Sequence, residues 1–159
     1  MYFHCIDDYF SDYNHRRRSQ LGQAFGPSLA GGGLAFLLEG SQEASCMQVA
    51  AGSVISGTKE LHIVSHIDCG AYRYFAGIDW RDHDLDVQVA TLWRDLYAAE
   101  KIVHRFLQAF DHPFDHDWTP PELSIHLDVI NLSEEQISAP ASLEQALPSS
   151  LYRGIRLPF

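Results

Sequence analysis

Two short clusters in the sequence carry the donor atoms of a metal centre. The first is Cys5-Ile6-Asp7, at the end of an apolar run over residues 2–6. The second is His66-Ile67-Asp68-Cys69-Gly70, at the end of an apolar run over residues 60–66. The thiols of Cys5 and Cys69 and the imidazole of His66 suit Zn2+, which accepts sulfur and nitrogen ligands in tetrahedral geometry. Three protein ligands leave a fourth position for water or another ligand. The chain has 3 cysteines, an odd number, and thiols kept reduced lean toward metal or catalytic work. The third, Cys46, falls in a helical stripe and reads as core.

For the two clusters to meet, both apolar runs must be neighbouring strands, because ligands of open α/β sheets collect beyond the carboxyl ends of the strands. Residues 2–6 read as a first strand and residues 60–66 as a buried one. Between them, residues 41–56 read as a helix. Ser41 can cap it and Glu43 lies in its first turn. Met47, Ala50, Ala51 and Val54 repeat at helical spacing, and Gly57 can end it. Residues 11–22 read as a polar loop, and residues 23–29 as a strand candidate running into Ala30-Gly31-Gly32-Gly33. That glycine run lacks the Gly-Lys-Ser/Thr of a phosphate loop and the spacing of a dinucleotide fingerprint. Close backbone packing near the metal crevice is its expected role.

Residues 84–110 form the strongest helical pattern, with Leu85, Val89, Leu92, Leu96, Ala99, Val103, Phe106 and Phe110 in one stripe. Pro113 and Pro120-Pro121 stop it. Residues 123–130 alternate and read as a later, half-exposed strand. A short helical piece is expected around residues 143–147. Helices alternate with strands, so the expected fold class is α/β: one domain over residues 1–159, with a mostly parallel sheet of about four strands flanked by helices.

The chain has 159 residues, 11 Lys and Arg against 21 Asp and Glu, and a formal net charge of −10. Its hydrophobic fraction of 46% belongs to a compact domain rather than a disordered segment. The acidic balance argues against nucleic acid or an anionic membrane as partner, since both need clustered Lys and Arg. The basic run Arg16-Arg17-Arg18 is offset by Asp7, Asp8 and Asp12. No stretch approaches the roughly 20 apolar residues of a membrane helix. The first residues do not have the layout of a secretion signal, so the expected location is cytoplasmic.

Taken together, the motifs resemble those of the β-class carbonic anhydrases, which carry Cys-x-Asp-x-Arg after the first strand and His-x-x-Cys-Gly after a later one. Here Cys5-Ile6-Asp7-Asp8-Tyr9 matches the first except at its last position, and His66-Ile67-Asp68-Cys69-Gly70 matches the second fully. Ser28-Leu29-Ala30-Gly31 keeps the Ala-Gly half of the family's Arg-Asn-Ala-Gly turn. The layout is similar over roughly residues 1–132. The resemblance implies that Cys5, His66 and Cys69 bind Zn2+ and that Asp7 is catalytic, accepting a hydrogen bond from the zinc-bound water and orienting it. The implied reaction is reversible hydration of carbon dioxide to bicarbonate by zinc hydroxide. A homodimer is implied as well, with the helix at 84–110 and the apolar end at 151–159 as candidate surfaces.

One departure matters. Tyr9 stands where the family has an arginine that forks onto the aspartate and holds it off the metal. Without that fork, Asp7 is a possible fourth ligand, which would close the site and make a non-catalytic zinc protein. Alternatively Arg16, Arg17, Arg18 or Arg73 takes the arginine's place. A hydrolase of carbonyl sulfide or carbon disulfide is a further alternative. Asp68 is read as solvated or hydrogen-bonded to a ligand, and His4 and His62 as packed or surface histidines. His112 and His116, among Asp111, Asp115 and Asp117, are read as a solvated loop.

Overall fold

The structure is a computed structural model, and it describes residues 1–6, 10–22, 24, 26, 28–112, 119–120 and 122–148. The fold is α/β, with a four-stranded sheet in the order β1 (Tyr2–Phe3), β2 (Glu60–His66), β3 (Ser124–Ile130), β4 (Gln136–Ile137). The first three strands are parallel and β4 pairs antiparallel with β3 at the edge. Among the described residues, three α-helices accompany them: α1 (Ser11–Gln20), α2 (Gln42–Ser56) and α3 (Leu85–Ala109). The β1–α2–β2 and β2–α3–β3 segments are both parallel crossovers, the connection that parallel strands require.

β2 is buried along nearly its whole length because both faces are covered. Phe3, Leu61 and Ile63 face the larger core, which holds Val49 and Ala50 of α2 and Leu92, Leu96 and Ala99 of α3. Tyr2, Val64 and Ile130 face a smaller cluster with Phe10, against which Tyr13 and Leu21 pack. This two-sided cover explains the continuous apolar run of β2. β3 is exposed or half-buried over its first four residues and buried over its last three, so one end of the sheet stays open.

Three local expectations are corrected. Residues 11–20 form α1 rather than a loop. That helix has no apolar stripe, so periodicity gives no sign of it. Its charges follow the helix dipole instead, with Asp12 in the first turn and Arg17 and Arg18 in the last. Buried Asn14 accepts a hydrogen bond from the Tyr2 hydroxyl at 3.0 Å, which ties α1 to β1. In α2, the buried face is Ser45, Cys46, Val49, Ala50, Gly52 and Ser53, while Met47 and Ala51 face solvent. Ser41 precedes this helix without capping it through its side chain, because its hydroxyl donates to the Ala35 carbonyl at 2.7 Å. Gly57 ends α2 in a left-handed conformation, as expected.

The third correction concerns the chain after β3. It turns into the short strand β4, and residues 143–147 make a single turn, Ala146 N–H to Leu143 carbonyl, rather than a helix. This stretch is held by tertiary bonds: Trp93 Nε1 donates to the Ile137 carbonyl at 3.2 Å and Leu147 N–H to Thr91 Oγ1 at 2.9 Å. α3 matches its expected stripe at Val89, Leu92, Leu96, Ala99 and Val103, with Leu85 exposed at its start. No described helix is long and apolar enough to cross a membrane.

Candidate metal centre

β1 and β2 are neighbours, with Tyr2 opposite His62 and Phe3 opposite Ile63. Their carboxyl ends therefore release Cys5 and His66 side by side, and the turn after β2 returns Cys69 toward them. Cys5, His66 and Cys69 each offer a ligand atom, and these atoms lie within 4.8 Å of one another. All three side chains are buried. The two sulfurs are 3.5 Å apart, far beyond a disulfide bond length. Two sulfurs on one tetrahedral zinc, each at about 2.3 Å, lie ~3.8 Å apart. The donor set and its spacing fit a zinc ion, and the group can hold a metal.

The surroundings prepare each ligand. His66 Nδ1 is 2.7 Å from the Ile67 carbonyl. A carbonyl only accepts, so Nδ1 carries the proton and Nε2 keeps its lone pair for a metal. The Phe10 ring lies against the imidazole with centroids 4.3 Å apart and fixes its plane from the α1 side. The Cys5 thiol is held well below its ordinary pKa, chiefly by the hydrogen bond with Cys69, then by His66 and the Gly31 N–H, against the opposing effect of burial. A thiol so placed ionises readily, and the thiolate is the form that binds metal.

The glycine run comes close to the strands beside this group. Gly31 N–H donates to Cys5 Sγ at 3.3 Å, and Gly33 N–H donates to Ser65 Oγ at 3.3 Å. Gly32 sits at φ +55°, and a Cβ there would lie 2.0 Å from the Val64 carbonyl oxygen. The run is thus pressed onto β2 where only glycine fits, and it is a packing device beside the centre.

The Cys69 turn is tied to α3. Asp68 adopts φ +55° with an exposed side chain. Its backbone N–H donates to Gln88 Oε1 at 3.2 Å, and Gln88 Nε2 donates to the Trp80 carbonyl at 3.3 Å. Tyr72 follows in a π-helical turn, and its hydroxyl donates to buried Asp95 Oδ2 at 2.9 Å. Gln88, Tyr72 and Phe10 position the centre, yet no motif in the sequence marks them. Their roles arise from distances across the fold, which local spacing does not encode.

Asp7, expected as the catalytic carboxylate or fourth ligand, lies outside the described residues, as does Tyr9. Of the arginines considered as substitutes, Arg16 pairs with Glu134, Arg17 donates to Gln20, Arg18 donates to the Gly26 carbonyl and Arg73 faces Asp79 at 3.7 Å. Cys46 is buried in the core and is not part of the group. His116, Asp115 and Asp117 also lie outside the described residues. Comparison of the chain with protein-family models, with curated proteins and with solved structures finds no match.

Proposed function

We propose that this chain holds zinc on Cys5, His66 and Cys69 and hydrates carbon dioxide reversibly to bicarbonate, in the manner of the β-class carbonic anhydrases. The observation that carries this is the convergence of two thiols and one imidazole at the carboxyl ends of adjacent parallel strands. The mostly parallel four-stranded sheet with an antiparallel edge and the His-x-x-Cys-Gly motif at 66–70 support the same reading. Zinc bound there would supply Lewis acidity, bringing the pKa of a water molecule toward about 7.

The chain's own residues do the rest. Cys5 and Cys69 contribute negative charge that tempers the metal, and the Gly31 N–H on Cys5 Sγ draws part of that charge back. His66, with its proton on Nδ1, presents Nε2. Asp7 would accept a hydrogen bond from the nucleophilic water and orient it, and a histidine or buffer would remove the proton. A second reading, favoured by Tyr9 at the family's arginine position, has Asp7 as fourth ligand in a closed, non-catalytic centre.

The deciding experiment is stopped-flow hydration of carbon dioxide by zinc-loaded protein, with Cys69→Ser as control. A rate above buffer that vanishes in the control is the expected result. Zinc bound on the cysteines without any rate favours the closed centre, and hydrolysis of carbonyl sulfide alone would reassign the substrate. A protein that takes up no zinc on its cysteines overturns every one of these readings.

A further inference from the structure

A second group of metal-ligating side chains lies at the other end of β2, on the opposite face from Leu61 and Ile63. Glu60 and His62 are two residues apart on one strand, so they share a face. His126 is the in-register partner of His62 on β3. One ligand atom from each of Glu60, His62 and His126 lies within 4.8 Å of the others. The two imidazole rings are stacked, with centroids 4.4 Å apart and planes 12° from parallel.

His62 is the informative member. It is only 6% exposed, and neither ring nitrogen has a hydrogen-bond partner. A buried polar group left unpaired is costly and calls for an explanation. A ring nitrogen aimed at a cation has one. Glu60 and His126 are exposed, and the first residues of β3 are open, so an ion can arrive from solvent.

We propose that Glu60, His62 and His126 form a second site, for a first-row divalent cation of the zinc class. Two imidazoles and one carboxylate are a donor set for such ions, and three ligands on an open face leave positions for water. The site contains no thiol. Along β2 it is four residues from the cysteine centre, about 13 Å at the rise of a strand, so the two sites can be loaded and removed independently. This inference does not depend on carbonic anhydrase activity or on zinc at the cysteines.

The test counts ions and identifies their ligands. Zn2+ equivalents are measured by competitive chelator titration in the wild type, in His126→Ala and in Glu60→Gln. Co2+ absorption then reports whether a thiolate charge-transfer band is present. His126 and Glu60 are exposed, so both variants are expected to fold. The expected result is that each variant binds one equivalent fewer than the wild type while the thiolate band of the Co2+ protein is unchanged. A Cys5→Ser/Cys69→Ser variant retains one equivalent, which the added His126→Ala removes. Equal ion counts and affinities in the wild type and His126→Ala overturn the proposal, whatever the cysteine centre does. A drop that takes the thiolate band with it overturns it as well, since the ion lost would then be the cysteine-bound one.

Discussion

Cys5 Sγ and Cys69 Sγ approach to 3.5 Å across 64 positions of sequence, one from the end of β1 and the other from the turn after β2. What the approach creates is a chelating pair. Cys69→Ser is therefore expected to lower zinc affinity by more than the roughly 10–100-fold that loss of an outer hydrogen-bond partner costs. The readout is the thiolate charge-transfer band of the Co2+ protein, which the second, thiol-free group cannot produce. An unchanged band in Cys69→Ser removes Cys69 from the ligand set.

The contact between the glycine run and β2 leads to a comparison of two substitutions. Gly32 and Gly57 have similar left-handed backbones, φ +55° and +61°, but a Cβ at Gly57 meets nothing within 4 Å. Alanine at Gly57 carries only the conformational cost, about 1–2 kcal/mol. Alanine at Gly32 adds a collision with the Val64 carbonyl, whose strand cannot retreat without breaking its ladder. Gly32→Ala is expected to cost about 3 kcal/mol or more, read from urea-unfolding midpoints. Equal losses for the two variants would show that the close approach does not constrain the fold.

The Tyr72–Asp95 bond ties the Cys69 turn to α3. Asp95 is 1% exposed and also receives Arg94 Nη2 at 2.5 Å, so its charge remains paired when Tyr72 is altered. Tyr72→Phe deletes one donor to a buried carboxylate, and a loss of about 1–3 kcal/mol is expected. Because Tyr72 N–H also donates to the Cys69 carbonyl at 3.2 Å, the turn should loosen as well. Zinc release to a chelator should speed up by about tenfold. A destabilised variant with an unchanged release rate would confine the bond's role to stability.

What the sequence makes legible follows from which forces act locally. His66 and Cys69 stand three apart at a strand end, and metal-ligand types at that spacing are visible without a fold. The crossover pattern that makes β1 and β2 neighbours is visible too, because α2, β2 and α3 differ sharply in apolar period. α1 is not visible: its contacts with β1 run through Asn14 and Tyr2, a polar bond between distant positions. β4 is 2 residues long and depends on Asn131, whose side chain accepts from Ser133 and Glu135 N–H groups, and on Glu134 at φ +63°. Such a turn overrides strand propensity. The His62–His126 stack escapes notice because it depends on the register between β2 and β3, and alternation within one strand does not specify register.

Cys46 offers a test of the core through pH. Burial pushes its thiol up to about 12, from an ordinary value of 9.0. Below pH 9 the thiol is protonated in both folded and unfolded chains and contributes no slope. Between pH 9 and 12 the unfolded chain releases this proton and the folded chain keeps it, so stability falls as pH rises, by up to about 1.4 kcal/mol per unit. Tyr2, whose hydroxyl is also raised by burial, acts in the same direction from pH 10 upward. Between pH 9 and 10 the thiol ionises further than the tyrosine in the unfolded chain, and comparison with Cys46→Ala cancels every group the two proteins share. Cys46→Ala is expected to be less stable than the wild type at pH 8 but to lose less stability from pH 9 to 10, measured by urea unfolding at each pH. Parallel declines in the two proteins over that interval would mean that the Cys46 thiol ionises alike in the folded and unfolded chains, and that α2 does not bury it as the fold requires.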